Sequence, residues 1–304
     1  MKILLTGASG FLGNNLLRYI KSHDTNDKLQ LYLLTSTSIN GYTCIPHKDY
    51  TFSKKDISRK VADRIDVLVH CGAFSPKTKK EMNDIRGSSK NIENTVYLID
   101  NLPFPPKKII YTSSVSIYDA SSSEVIDENT PPNPDSLYGQ SKLFCENILR
   151  KYSLENHIGY QILRIGVIYG EENIHNQGLI PTTIKKIIDN QNPVVFNGGM
   201  ELRSFINVYD CCRTIYLAIE KQIDDPIVNV VFEQHLPVID LVRLIVKISG
   251  KNIAINDIKT DKKYPDIVYN VKKSIKNFGL YEIDYTTGLT SCYNYFQKNY
   301  RQGL

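Results

Sequence analysis

Tyr138 and Lys142, in the run Tyr138-Gly139-Gln140-Ser141-Lys142, stand four residues apart where a helical pattern begins. A phenol and an ammonium therefore share one helix face. A tyrosine near its free pKa of about 10 is a poor base at neutral pH, and a neighbouring ammonium stabilises the phenolate. Such a phenol can exchange a proton with a carbinol hydroxyl while hydride leaves or reaches the same carbon. A second feature lies at the N-terminus, where residues 2–6 run directly into Gly7-Ala8-Ser9-Gly10-Phe11-Leu12-Gly13. Glycine at such a turn permits backbone that a side chain forbids, a second lets the chain approach a pyrophosphate, and a third lets helix pack on strand. The following helix start offers amide donors and a positive dipole to phosphate. Lys142 is then placed to hold the ribose of the same dinucleotide.

These groups need a scaffold that gathers strand ends, and the hydrophobic pattern supplies one. Short apolar strands are expected at 2–6, 29–35, 66–70, 108–112 and 160–165, with helices at 11–22, 80–100 and 137–153 between them. Continuous apolar strands separated by helix-length segments mean a parallel sheet covered on both faces. The fold class is α/β, a doubly wound Rossmann sheet over residues 1–170. Beyond that the pattern loosens into short helices at 181–190, 209–221 and 238–249 and short strands at 194–196 and 227–231. Residues 171–304 read as a smaller, mainly substrate-binding lobe, with some chain returning to the sheet. Such a lobe can close over the carboxyl ends of the strands, where ligands of these sheets bind.

Composition narrows the class. The 304 residues are 41% hydrophobic and 23% charged, enough for a sizeable core and too apolar for a disordered chain. A net charge of +5 is no nucleic-acid signature. No apolar run approaches the roughly 18 residues of a membrane span. The cysteines, Cys44, Cys71, Cys145, Cys211, Cys212 and Cys292, have neither metal-ligand spacing nor a CxxC pair, which fits reduced thiols in a cytoplasmic protein. The histidines do not cluster, and no metal is implied. After the second strand an acid would hold a ribose 2′-hydroxyl and repel a 2′-phosphate. Thr35-Ser36-Thr37-Ser38 stands there instead, which favours NADP over NAD, although no Arg accompanies it.

The GxxGxxG spacing and the YxxxK pair resemble the short-chain dehydrogenase/reductase superfamily. The run Tyr111-Thr112-Ser113-Ser114-Val115-Ser116-Ile117-Tyr118 is similar to its extended members, which carry a Ser or Thr four residues before a Tyr-Gly pair. That register selects Ser114, with Ser113 as the alternative, as the hydroxyl that stabilises a developing oxyanion. The chain resembles the NAD-dependent epimerase/dehydratase family, the nucleotide-sugar branch. The resemblance continues through His70-Cys71-Gly72-Ala73, through residues 163–170 (LRIGVIYG) and 203–210 (RSFINVYD), and into residues 266–279. It implies that Asp56, with Ile57 after it, contacts the adenine. Ala73 and Ile165 would line the cofactor, Ile165 at the nicotinamide end. Arg203 would clamp a substrate diphosphate, for which a guanidinium fork is suited, and Lys263 would stand near a second diphosphate-binding position. Departures from the family pattern are Asp119 for a glycine, Ile165 for a proline, Val167 for an asparagine and Asp84 for an asparagine.

The implied chemistry is hydride transfer at a carbinol or keto carbon of a nucleotide-linked sugar. Family dehydratases carry Asp-Glu directly after the catalytic hydroxyl residue, whereas Val115 and Ser116 follow Ser114 here. A 4,6-dehydratase is therefore disfavoured, and a 4-epimerase and a 4-ketoreductase remain. The alternatives are an NADPH-dependent reductase of a non-nucleotide carbonyl compound and a non-catalytic NADP-binding sensor or scaffold. Family relatives commonly pair through the helix that carries the Tyr-Lys motif, which implies a homodimer.

Overall fold

The computed structural model describes residues 1–61, 63–119 and 125–300. In chain order its first half comprises β1 (Lys2–Thr6), α1 (Phe11–His23), β2 (Gln30–Thr35), β3 (Thr43–Pro46), α2 (Lys54–Ser58), β4 (Val67–His70) and α3 (Ile85–Asp100). Then follow β5 (Lys108–Ser114), α4 (Leu137–Glu155) and β6 (Gly159–Ile165). The second half comprises β7 (Val167–Tyr169), α5 (Leu179–Ile188), β8 (Val194–Phe196), β9 (Leu202–Arg203), β10 (Phe205–Asn207) and α6 (Val208–Glu220). It closes with β11 (Ile227–Val230), β12 (Leu236–Pro237), α7 (Val238–Ser249), β13 (Asn256–Ile258), α8 (Lys272–Phe278) and α9 (Tyr285–Asn299).

Seven strands form one parallel sheet in the order β11-β6-β5-β4-β1-β2-β3. Alternation along each strand fills a layer on either side. Ile3 and Leu5 face one core with Leu16 and Ile20 of α1 and Ile215 and Ile219 of α6, while Leu4 faces the other with Leu98 of α3 and Cys145 and Leu149 of α4. Each fully buried aliphatic side chain contributes about 1.5–3 kcal/mol, so two apolar faces per strand explain the unbroken apolar runs. Cys211 and Cys212 are buried in α6 within the first of these cores.

The strand order reverses between β1 and β4, and this switch point opens a crevice at the carboxyl ends of the strands. The later chain is woven into the same body. β11 returns to the sheet beside β6, and α5, α7 and α9 place Ile184, Leu241 and Leu289 in the core that α1 and α6 share. Three short pairs, β7 with β10, β9 with β12 and β8 with β13, form separate two-stranded sheets in this later chain.

The expected helix over 80–100 is broken. A 3-10 turn at Glu81–Asn83 precedes α3, and Asp84 caps the helix, its carboxylate accepting from the Gly87 amide at 3.0 Å. Asp serves this purpose as well as Asn, which accounts for one departure from the family pattern.

Candidate active site

Two loops meet at the switch point. Gly7 has φ +74°, and a Cβ there would lie 2.6 Å from the Gly72 amide nitrogen after β4. The Gly72 amide donates to Thr6 Oγ1 at 2.9 Å, and Thr6 Oγ1 also bonds His70 Nδ1 at 2.7 Å. A Cβ on Gly13 would stand 2.1 Å from the Gly7 carbonyl oxygen, so α1 starts in backbone contact with the loop that leads into it. Gly10 caps α1 with no side-chain bond. The first-turn amides are thus left for an anion beside exposed Ser9 and half-buried Phe11 and Leu12.

His70 is wholly buried, its Nε2 bonded to Thr95 Oγ1 at 3.1 Å. Burial, with Lys142 nearby, lowers its pKa from 6.5 to about 3. The folded ring therefore stays neutral while the unfolded chain takes up a proton below pH 6.5. Stability is full above that pH and declines as the pH falls toward 3. By pH 4.5 the loss from this residue alone is roughly 3 kcal/mol. Urea unfolding at pH 7 and 4.5 should show it, and His70→Asn should flatten the difference; an equal acid loss in the variant would contradict this role.

The Tyr-Lys motif opens α4 as expected. Ser136 caps the helix by accepting from the Gly139 amide at 3.2 Å, and Asn83 Oδ1 accepts from the Leu137 amide at 3.1 Å. A Cβ on Gly139 would lie 2.1 Å from the Ser116 carbonyl, so only glycine allows the helix start this close to the turn after β5. That approach brings Tyr138 beside Ser114, whose hydroxyl lowers the phenol's pKa against the larger effect of burial. Ser114 Oγ in turn donates to Ser116 Oγ at 3.1 Å.

Lys142 is buried and donates from Nζ to the Thr112 carbonyl at 2.8 Å, with Nζ 5.9 Å from the centre of the Tyr138 ring. Burial lowers its pKa to about 8 against the opposing effect of Cys145, Cys71 and Glu146. The Tyr138 phenol is not pulled down as the bare motif suggests. Burial pushes it up to about 12, and the Ser114 hydroxyl only partly offsets this. The reason is geometric, since the ammonium bonds a carbonyl rather than the phenol.

The alternative hydroxyl is occupied elsewhere. Ser113 is buried and donates to Glu146 Oε1 at 2.5 Å, whereas Ser114 is half-exposed beside Tyr138. Ala73 lies just past β4, and Ile165 ends β6, both at the carboxyl edge of the sheet.

Other expected residues sit differently. Thr35 is buried, and its hydroxyl donates to the Thr37 carbonyl at 3.0 Å, closing its own turn instead of facing outward; Ser36 is exposed. Asp56 accepts from the Ser53 amide at 2.8 Å and hydroxyl at 2.7 Å, boxing the start of α2 and seating Ile57 in the core. Arg203 is half-buried on β9, and its Nη1 donates to the carbonyls of Leu202 and Pro265, each at 2.7 Å. It is not the partner of Asp210, which accepts from the amides of Glu282 and Ile283. Lys263 is exposed on the loop after β13. Sequence reasoning passed over Glu146, whose spacing of four from Lys142 repeats that of Lys142 from Tyr138 and was the available signal.

The chain belongs to the NAD dependent epimerase/dehydratase family, whose model matches residues 3–230. A Methanocaldococcus jannaschii protein named "Putative UDP-glucose 4-epimerase" is 27% identical over 308 residues, covering 98% of this chain and 99% of that one. A dTDP-D-glucose 4,6-dehydratase from Dictyostelium discoideum is 23% identical over 82% of this chain and 62% of its own. Among solved structures, UDP-glucuronic acid 4-epimerase from Bacillus cereus in complex with NAD superposes with a TM-score of 0.82 at 23% identity, covering 99% of this chain and 100% of that one. That likeness shows that the two share a fold.

Proposed function

We propose that this protein is an NAD(P)-dependent nucleotide-sugar 4-epimerase in which Tyr138 exchanges the proton of the sugar hydroxyl. The observation that carries the reading is the approach of half-buried Tyr138 to half-exposed Ser114 at the carboxyl end of β5, with Lys142 one helical turn away and bonded to the Thr112 carbonyl. The residues fit a dinucleotide: Gly7, Ser9, Gly10, Phe11, Leu12 and Gly13 would hold the pyrophosphate, and Lys142 the ribose. Ala73 and Ile165 would flank the nicotinamide, with Ser36, Asp56 and Ile57 toward the adenine. The bound nicotinamide supplies the hydride acceptor and donor. Ser114 hydrogen-bonds the sugar oxygen as its charge develops, and Tyr138 takes and returns the proton.

The relative from Methanocaldococcus jannaschii supports the epimerase reading. Although a dehydratase also matches, Val115 and Ser116 leave no Asp-Glu pair for elimination. With its hydroxyl closed into its own turn, Thr35 gives no support to a 2′-phosphate, which turns the balance toward NAD. A 4-ketoreductase using NADPH is the second reading, favoured by the absence of an acid after β2. Denaturing the purified protein and identifying the released nicotinamide by mass spectrometry separates them. Retained NAD(H) supports the epimerase; protein that emerges empty and prefers NADPH in titrations supports the reductase.

Arg203 is proposed to bind the substrate diphosphate with the donors that Leu202 and Pro265 do not use. Arg203→Ala should then raise KM for the nucleotide sugar at least about tenfold, the share of a charge-assisted bond, with NAD(H) affinity unchanged. An unaltered KM would remove it from the site.

A homodimer is proposed through the outer faces of α3 and α4, which pack on each other and leave Ile85, Val96, Phe144 and Leu154 exposed. Sedimentation at the mass of a single chain would contradict it.

A further inference from the structure

Three consecutive residues at the end of β5 are each met by one face of α4. The Thr112 carbonyl accepts from Lys142, Ser113 donates to Glu146, and Ser114 lies beside Tyr138. The helix residues follow one another at intervals of four, so a single stripe of α4 sets the strand end. Tyr138 and Lys142 have roles in the proton transfer proposed above, and Glu146 has none.

Glu146 is 3% exposed. It accepts from Arg164 Nε at 3.1 and 3.3 Å and from Arg164 Nη2 at 2.9 Å, a two-pronged pair on β6. Arg164 Nη1 donates to Tyr118 Oη at 2.7 Å, and Tyr118 donates to Asn229 Oδ1 of β11 at 2.9 Å. The backbone N–H of Asn229 donates to Glu128 Oε1 at 2.8 Å. The relay thus ties the carboxyl ends of β5, β6 and β11 to the helix that carries the phenol.

Stability alone is a poor explanation for this arrangement. A buried ion pair must offset the desolvation of both charges, and well-packed apolar residues of similar volume hold a fold as well or better. What apolar residues cannot do is fix the direction of the Ser113 hydroxyl, and with it the backbone that presents Ser114. Directional, charge-assisted bonds restrict geometry in a way that dispersion does not.

We propose that Glu146 is a positioning residue for proton transfer, held by Arg164 so that it locks the end of β5 onto α4 and sets Ser114 against Tyr138. This rests on the reading of Tyr138 as the proton-exchanging group. Small displacements of reacting groups cost large factors in rate, so the clamp acts on kcat and leaves the binding surfaces in place.

The test compares wild type with Ser113→Ala, Glu146→Gln and the paired replacement Glu146→Met with Arg164→Met. Each is assayed on whichever of UDP-glucose, UDP-N-acetylglucosamine and UDP-glucuronate the wild type turns over. Glu146→Gln should lower kcat by about 10- to 100-fold while KM and NADH affinity change less than about twofold. Ser113→Ala should lower kcat in the same direction with the melting temperature nearly unchanged. The paired replacement removes both charges, so it should melt near wild type even if Glu146→Gln folds poorly, and its kcat should stay depressed. A paired variant that regains wild-type kcat would show that the relay only holds the fold, and would overturn the proposal. Tyr138→Phe, run alongside, separates the proton-transfer role of Tyr138 from the positioning role of Glu146. If it keeps full activity, the reading beneath the proposal fails; if it is inactive while the Glu146 variants are not, only the positioning role fails.

Discussion

Tyr138→Phe is expected to lower kcat by about 10²- to 10⁴-fold, the usual contribution of a positioned acid-base group. That is about 3–5 kcal/mol of transition-state stabilisation at 1.36 kcal/mol per factor of ten. The substitution removes one oxygen and keeps the ring, so α4 and the surfaces around it remain. NAD(H) affinity, read by fluorescence titration, should be unchanged, because the ribose is proposed to fall to Lys142 and the pyrophosphate to the glycine loop. Initial rates on the nucleotide sugar check the first half of this expectation, and undiminished turnover would remove Tyr138 from the chemistry. The high phenol pKa of about 12 sharpens the point. A group this reluctant to ionise needs help when it acts as a base, and the positive charge of an oxidised nicotinamide would supply it.

Gly13→Ala is expected to abolish cofactor binding and to destabilise the fold. The added carbon would lie 2.1 Å from the Gly7 carbonyl oxygen, 2.7 Å from its carbon and 2.8 Å from the Ala8 Cα. All of these are backbone atoms, so no side-chain rotation relieves the clash, and overpacking of this kind costs at least about 1–3 kcal/mol. Relief requires moving the start of α1 away from the loop, which withdraws the amides proposed to hold the pyrophosphate. Gly41→Ala is the control. Its φ of +84° makes alanine strained there, yet nothing lies within 4 Å of the added carbon. It should lose stability modestly and bind NADH normally. Melting temperature and NADH titration on both variants decide the matter, and normal binding by Gly13→Ala would contradict the pyrophosphate role.

Much of this arrangement could be read from the residues because the central strands are buried on both faces. Residues 3–5 and 109–111 are three consecutive apolar positions each, where a half-exposed strand would alternate with polar ones. The glycines and the Tyr-Lys pair were legible for a related reason, since each is fixed by backbone proximity or by helical spacing. Some short elements were not, although the three-residue strand expected at 194–196 is β8. β3, at the sheet edge, has four residues, and β7 and β10 have three each, too few for a period to emerge. The turn chemistry of Thr35 was equally hidden, because a hydroxyl at a strand end reads the same whether it faces a ligand or its own backbone. The break before α3 shows the same limit, with Asp84 able to serve as a helix residue or as a cap. Glu146 was passed over because an acid inside a helix normally faces water, and only the packing of Arg164 and Ser113 around it shows otherwise.

In the proposed reaction, hydride leaves the sugar C4 for a nicotinamide and returns to the same carbon. Incubating the purified protein with UDP-glucose deuterated at C4, and with the matching N-acetylglucosamine and glucuronate derivatives, tests it most directly. At least one should be converted to its C4 epimer with the deuterium still at C4, and Tyr138→Phe should form no such product. Exchange of the C4 label with solvent, or no epimer from any of these substrates, would contradict it.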